Sequence, residues 1–289
     1  MKPYFITAIC TPLQLDGSLH QDGIRRHLND QAQAGIDGIL VGGTMGQMQM
    51  LTDTTFRQLV TLCVEECAGR FEIFVGVGDT SFDRTSERLR FLNAYRIDGA
   101  VVLTPFFNKF GQAELIEYFR ALADCSKAPL YLYDLPARVQ CKLELDTIGV
   151  LAEHPNIRGI KSSDELAFTR RLYDKFGDRF RVIVASPHLI DMCLQYGMHE
   201  QLDGVFALAP HWVTALGRAA SAGDWKTAAS HQADLSALVD VVRKYGPAAS
   251  ATILNARGIP GTVPRPHAIL SSEIVERIWA EPVVRRLTG

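Results

Sequence analysis

Ile36-Asp37-Gly38-Ile39-Leu40 recurs in outline twice further along the chain, as Ile97-Asp98-Gly99-Ala100-Val101 and as Leu202-Asp203-Gly204-Val205-Phe206. Each copy sets an apolar residue, an Asp and a Gly ahead of more apolar residues, which reads as a tight turn from a helix into a strand. Glycine suits such a turn because it takes backbone angles that other residues avoid. Working outward, strand-like apolar runs lie at residues 5–12, 38–43, 72–77, 99–104, 130–135, 158–161, 181–185 and 204–208. They are near-continuous in Val, Ile, Leu and Phe, as strands covered on both faces should be. Between them helical spacing returns: Phe56, Leu59, Val60 and Cys63; Leu115, Tyr118, Phe119 and Leu122; Leu166, Phe168 and Leu172. Thr52-Asp53 and Ser163-Asp164 read as helix starts and Gly35 as a stop.

Eight strands alternating with helices predict a (β/α)8 barrel over residues 1–222. A doubly wound sheet would want a glycine-rich turn after its first strand, and Ile9-Cys10-Thr11-Pro12-Leu13 holds no glycine. After about Gly223 the pattern is helical only, with Trp225, Ala229, Leu235, Leu238 and Val242 suiting one helix and residues 248–256 and 269–278 two more. Residues 223–289 are therefore expected as a C-terminal helical domain, jointed at Tyr245-Gly246-Pro247 and at 258–266.

Composition narrows the partners. The 289 residues are 47% hydrophobic and 21% charged, with a net charge of −2. No basic run or acidic tail points to nucleic acid or a membrane surface. No apolar run is long enough to span a bilayer. Met1-Lys2-Pro3-Tyr4-Phe5 leads straight into a strand pattern without a signal-peptide hydrophobic region, so a cytoplasmic setting is expected. Six cysteines are scattered, and Cys63 and Cys67 share a helix face with Leu59 and Val60, which reads as core rather than a metal pair.

A barrel places its chemistry at the C-terminal ends of its strands. There the second strand delivers Gly42-Gly43-Thr44-Met45-Gly46, a turn whose backbone N–H groups suit a small anion such as a carboxylate, or a plain strand exit. The fourth delivers Thr104-Pro105-Phe106-Phe107-Asn108, the fifth Tyr133 with Arg138 beyond it, and the sixth Lys161 within Ile157-Arg158-Gly159-Ile160-Lys161-Ser162-Ser163, whose serines suit a helix cap. A lysine and a tyrosine on neighbouring strands can meet over one pocket, and a dry pocket favours a free, nucleophilic amine. The bland reading is that Lys161 leans into solvent. No P-loop, Gly-x-Gly-x-x-Gly, His-Glu-x-x-His or Gly-x-Ser-x-Gly is present, so neither a nucleotide, a metal nor any other cofactor is expected. His154, His199 and His211 read as surface loop residues.

These segments resemble the pyruvate-dependent class I aldolases, the family of dihydrodipicolinate synthase, N-acetylneuraminate lyase and the 2-keto-3-deoxy sugar-acid aldolases and dehydratases. Gly42-Gly43-Thr44-Met45-Gly46-Gln47 is similar to the family's Gly-x-Thr/Ser-Thr-Gly-Glu, Tyr133-Asp134-Leu135-Pro136 to its Tyr-Asn-x-Pro, Thr104-Pro105-Phe106-Phe107-Asn108 to its Thr-Pro-Tyr/Phe-Tyr-Asn, and Gly159-Ile160-Lys161 to its Schiff-base strand. Residues 258–266 resemble its Gly…Arg-x-Pro segment, so the likeness spans nearly the whole chain.

The resemblance implies a lyase or aldolase that acts on pyruvate or a longer 2-oxo acid by cleavage, condensation or dehydration. Lys161 would form the imine, Tyr133 relay protons, and Thr44 with the Met45 amide hold the carboxylate and orient Tyr133. Arg138 would pair with a second carboxylate, its alternative being a surface salt bridge. Phe206 would offer a backbone oxygen and a pocket wall. Met45 stands for a threonine, and Phe107 for a tyrosine that in dihydrodipicolinate synthase reaches into the neighbouring subunit; neither carries protons. Gln47 stands for a glutamate, Asp134 for an asparagine and Ser186 for a glycine. The resemblance also implies a homo-oligomer, tetramer or dimer. Two alternatives stay open: dihydrodipicolinate synthase proper, and a catalytically weak barrel that binds a keto acid.

Overall fold

The computed structural model describes residues 2–67 and 69–288; Met1, Ala68 and Gly289, with the part of the N-terminal reading that rests on Met1, lie outside the described residues. Eight strands, β1 (Tyr4–Ala8), β2 (Gly38–Val41), β3 (Glu72–Gly76), β4 (Gly99–Leu103), β5 (Leu130–Asp134), β6 (Ile157–Ser162), β7 (Arg181–Val184) and β8 (Glu200–Asp203), run in that order as a closed barrel. Helices α1 (Gln21–Ala34), α2 (Asp53–Cys67), α3 (Phe82–Leu92), α4 (Gln112–Cys125), α5 (Leu145–Ala152), α6 (Leu166–Phe176), α7 (Ile190–Tyr196) and α8 (Pro210–Ser221) alternate with them. After these come α9 (Trp225–Tyr245), α10 (Pro247–Ala256), α11 (Ser272–Ala280) and α12 (Pro282–Thr288). The fold is a (β/α)8 barrel with C-terminal helices.

Two compact units are distinguished. The first comprises Met1–Phe71, Pro187–His199 and Asp203–Gly289, and the second Glu72–Ser186 and Glu200–Leu202. In the first, the Asp37 carboxylate accepts the Phe5 amide at 2.9 Å, and α9 packs along α8. In the second, the Asp98 carboxylate accepts the Ile73 amide at 2.8 Å in the same way. The repeated Asp thus ties the start of the preceding strand to the start of its own.

The glycines after it have another reason than the one expected, because neither Gly38 nor Gly99 takes a positive φ. A Cβ on Gly99 would stand 2.7 Å from the Tyr131 ring, so close packing inside the barrel excludes a side chain there. Arg181 fills the same interior layer, donating to Glu72 at 2.6 and 2.8 Å and also to Glu200.

Several expectations are corrected. The apolar run at 204–208 is not a strand: β8 ends at Asp203, and Val205–Ala207 form a single 3-10 turn. The Asp203 carboxylate accepts the Val205 amide at 2.9 Å and coils the chain. The run is apolar because it is buried, not because it is extended, so the third Asp-Gly copy leaves a strand rather than leading into one. Ser163-Asp164 do not start α6, whose N-cap is Glu165 without a side-chain bond. Ser162 instead bonds the Thr169 hydroxyl at 2.8 Å. The 269–278 pattern forms a helix only from Ser272, since Ile269 is exposed, and α12 follows it. His211 lies in α8, not in a loop. Thr52 does cap α2, accepting the Thr55 amide at 3.1 Å, Gly35 ends α1 in the left-handed region, and Cys63 and Cys67 are buried.

His27 of α1 gives the fold a pH signature. Its Nε2 accepts the Cys10 amide at 3.3 Å. Burial, helped by the Arg257 charge, lowers its pKa from 6.5 to about 3. A histidine held neutral stabilises the fold fully above its unfolded pKa, and that contribution falls by about 1.4 kcal/mol per pH unit as pH drops from there toward the folded value. His27→Gln keeps an acceptor for Cys10 without the titration. Urea midpoints measured between about pH 7.5 and 5 should therefore fall less steeply in the variant than in the wild type; equal slopes would refute the assignment.

Candidate active site

The register between β5 and β6 places the central pair. Tyr133 stands opposite Lys161, and Asp134 opposite Ser162. Side chains alternate along a strand, so Tyr131, Tyr133, Gly159 and Lys161 share the barrel's inner face, while Leu132, Asp134, Ile160 and Ser162 turn to the helices. Lys161 is only 5% exposed and Tyr133 4%, and the Lys161 Nζ lies 4.1 Å from the centre of the Tyr133 ring. The bland reading of Lys161, a strand end leaning into solvent, is thereby excluded. A buried amine beside a buried phenol can form an imine and exchange protons over a short path.

Both other positions of the second unit lie in loops. Arg138 sits in the loop 135–144 after β5, its amide bonded to Leu135 O at 3.0 Å, and its side chain is exposed, without an ion pair among the described residues. Phe107, in the loop after β4, is 85% exposed and holds a φ of 86°, a left-handed conformation rare for a bulky residue. Cys141 joins these loops: its Sγ accepts the Phe110 amide at 3.2 Å, and its carbonyl accepts the Thr104 hydroxyl at 3.3 Å.

The first unit holds Thr44, Met45 and Phe206. Gly42 at φ 62° and Gln47 at φ 56° bracket the turn. The Thr44 carbonyl accepts the Gln47 amide at 3.1 Å and the Gln47 side-chain amide at 3.3 Å. Gly46 leaves no room for a side chain, because a Cβ there would meet Thr11 Oγ1 at 2.9 Å and Ile9 O at 3.0 Å. Met45 lays its side chain against Gly204, where a Cβ would approach its Sδ to 2.8 Å. The Phe206 ring is 1% exposed and meets Phe5 edge-on at 5.8 Å, so its aromatic face serves the core.

Sequence reading passed over two further participants. His267 donates through Nε2 to the Gln47 side-chain oxygen at 2.9 Å, reaching the Thr44 turn from 220 residues away. Lys142 pairs with Asp134 at 3.5 Å and with Asp164, and its Nζ lies 3.5 Å from the centre of the Phe168 ring. Asp134 is fully buried, and burial raises its pKa, opposed by the Leu143 amide and by Lys142. Its place beside Tyr133 was the signal available: an acid directly after an inward-facing strand residue points outward and needs a partner.

The chain is similar to known proteins over most of its length. The 4-hydroxy-tetrahydrodipicolinate synthase of an Exiguobacterium species is 31% identical over 261 residues, covering 90% of this chain and 89% of the relative. The enzyme of that name from Methanothermobacter thermautotrophicus is 28% identical over 82% of this chain and 86% of its own. The solved structure of dihydrodipicolinate synthase from Bacteroides thetaiotaomicron superposes with a TM-score of 0.91 at 22% identity, covering 98% of both chains, a likeness of fold. The sequence model of the dihydrodipicolinate synthetase family matches residues 3–276, and the chain belongs to that family.

Proposed function

We propose that the protein is a Schiff-base lyase or aldolase in which Lys161 forms an imine with pyruvate or a longer 2-oxo acid. The observation that carries this reading is the buried Lys161 amine 4.1 Å from the ring centre of a buried tyrosine. Lys161 Nζ adds to the ketone carbon, and loss of water leaves a protonated imine that withdraws electrons from the neighbouring carbon. That carbon then loses a proton to give an enamine, or the next C–C bond breaks, with Tyr133 exchanging protons with the substrate oxygen.

Thr44 and the Met45 amide hold the 2-oxo acid's carboxylate; the Met45 N–H donates to no acceptor among the described residues, as an anion-binding turn requires. Arg138 takes a second carboxylate, and its exposed guanidinium, without an ion pair among the described residues, suits that task. The Phe206 carbonyl and Phe107 complete the substrate contacts. Family likeness further supports a homo-oligomer, tetramer or dimer, in the cytoplasm. A second reading, a keto-acid binder with weak chemistry, is favoured by Met45 and Phe107, which carry no hydroxyl where the family's proton relay has one.

Borohydride reduction with pyruvate should add a fixed mass to the peptide that contains Lys161, and Lys161→Ala should abolish it. A folded wild type that takes up no label would sink the imine mechanism. Tyr133→Phe should keep the label while lowering kcat by about 10²–10⁴-fold, the usual worth of a positioned acid–base group. If Met45 and Phe107 limit proton delivery, Met45→Thr with Phe107→Tyr should raise kcat by about tenfold, or 1.4 kcal/mol of barrier. No gain in the double variant would mean that protons travel another way.

A further inference from the structure

The outer face of the Tyr133–Lys161 strand pair carries its own charge cluster. One residue after Tyr133, Asp134 turns to the helix side with no exposure at all. Its Oδ1 accepts the Leu143 amide at 3.1 Å, and its Oδ2 meets the Lys142 ammonium at 3.5 Å. Asp164, three residues after Lys161, pairs with the same ammonium. Phe168 of α6 places its ring 3.5 Å from Lys142 Nζ, restricting it further. One cation therefore ties the exit of β5, the exit of β6 and the far end of the loop 135–144.

That loop leaves Tyr133 at one end, bears Arg138 on its exposed turn and returns at Leu143. Cys141 fastens it on a second side, to Thr104 and Phe110. With both ends fixed, the position of Arg138 over the strand ends is set by these tethers, since Arg138 makes no ion pair of its own among the described residues.

We propose that Lys142 is a positioning residue: by bridging Asp134 and Asp164 it fixes the Arg138 loop against the Lys161 strand and so sets the preference for substrates with a second carboxylate. This rests on the imine-forming reading of the site. Lys142 contacts neither Lys161 nor Tyr133 in the structure and acts through the loop. Removing its charge leaves the inner face, and hence imine formation, unchanged. What changes is the fraction of molecules whose Arg138 stands ready for a carboxylate.

The test uses the full-length protein and its Lys142→Met variant, which keeps a long apolar side chain against Phe168. Two measurements are made. The first is the half-saturating concentration for borohydride trapping at Lys161 with pyruvate, 2-oxoglutarate and 2-oxopentanoate, the last two equal in chain length and differing by one carboxylate. The wild type should prefer 2-oxoglutarate, and the variant should lose at least about fivefold of that preference while its pyruvate value stays within about twofold. A wild type without the preference, or a variant that retains it, overturns the proposal, even if the variant melts at a lower temperature, because stability alone does not move a ratio between two ligands.

The second measurement is amide hydrogen exchange over residues 135–144, which should quicken in Lys142→Met and leave residues 157–161 unchanged. Exchange that does not quicken overturns the clamp whatever the enzymology shows. If the wild type traps no 2-oxo acid at all, the imine reading fails by itself and the exchange arm alone decides the clamp. Should Lys142→Met fail to fold, Lys142→Met with Asp134→Asn removes the more deeply buried of the two carboxylates left without their cation, keeps an acceptor for Leu143 and carries the same expectations.

Discussion

A single extra residue in β6 decides which side chain faces Tyr133. Leu130 pairs with Ile157, yet Tyr131 pairs with Gly159, so Arg158 is left over as a bulge. Without that insertion the pairing would run on in step and bring Ile160, not Lys161, opposite Tyr133. Because strand side chains alternate with a period of two, a slip of one position moves a whole face from inside to outside. Arg158 is the one exposed residue of β6, which suits a bulged position at the strand's start. The chemistry proposed for Lys161 depends on this offset before it depends on any property of the lysine.

The same alternation separates two tasks. On the inner face, Gly99 and Gly159 give up their side chains so that Tyr131 can lie flat between them, and Arg181 closes that layer with Glu72 and Glu200. The side chains of Arg181, Glu72 and Glu200 are all half-buried. Tyr133 and Lys161 stand two residues further along β5 and β6 than Tyr131 and Gly159. On the outer face, Asp134 and Ser162 bind the helix side and the loops. Two successive register positions therefore face opposite ways, Tyr133 and Lys161 into the barrel and Asp134 and Ser162 toward the helices and loops.

Much of this was legible in the sequence, and what was not follows a physical pattern. The strands announced themselves because both their faces are buried, which makes them continuous in apolar residues. The run at 204–208 shows the limit: burial makes a 3-10 turn equally apolar, and only the Asp203 carboxylate on the Val205 amide distinguishes the two. Lys161, Tyr133 and Thr44 were visible because strand ends are few and their polar residues stand out. Lys142 and His267 were not, since their meaning lies in contacts with Asp164 and Gln47 that the chain makes only once folded. Arg138 was visible as a residue, but its loop's tethers were hidden in Asp134, which reads as a conservative replacement of asparagine and in fact brings a buried charge with its own cation.

Backbone strain marks the loops that hold Gln47 and Phe107. Gln47 and Phe107 hold positive φ without being glycine, a cost on the order of 1 kcal/mol each. Such conformations persist only where surrounding contacts over-determine them. At Gln47 the contacts are its own side chain on the Thr44 carbonyl and the His267 ring on its oxygen. Around Phe107 they are the bonds from Phe110 and Thr104 to Cys141. Strained residues at strand ends, each held by a partner from a distant segment, mean that the loops are fixed before any substrate arrives. A barrel that had merely lost its chemistry would gain nothing by keeping that strain, and the strain in each loop therefore weighs toward an enzyme whose loops are still held in shape.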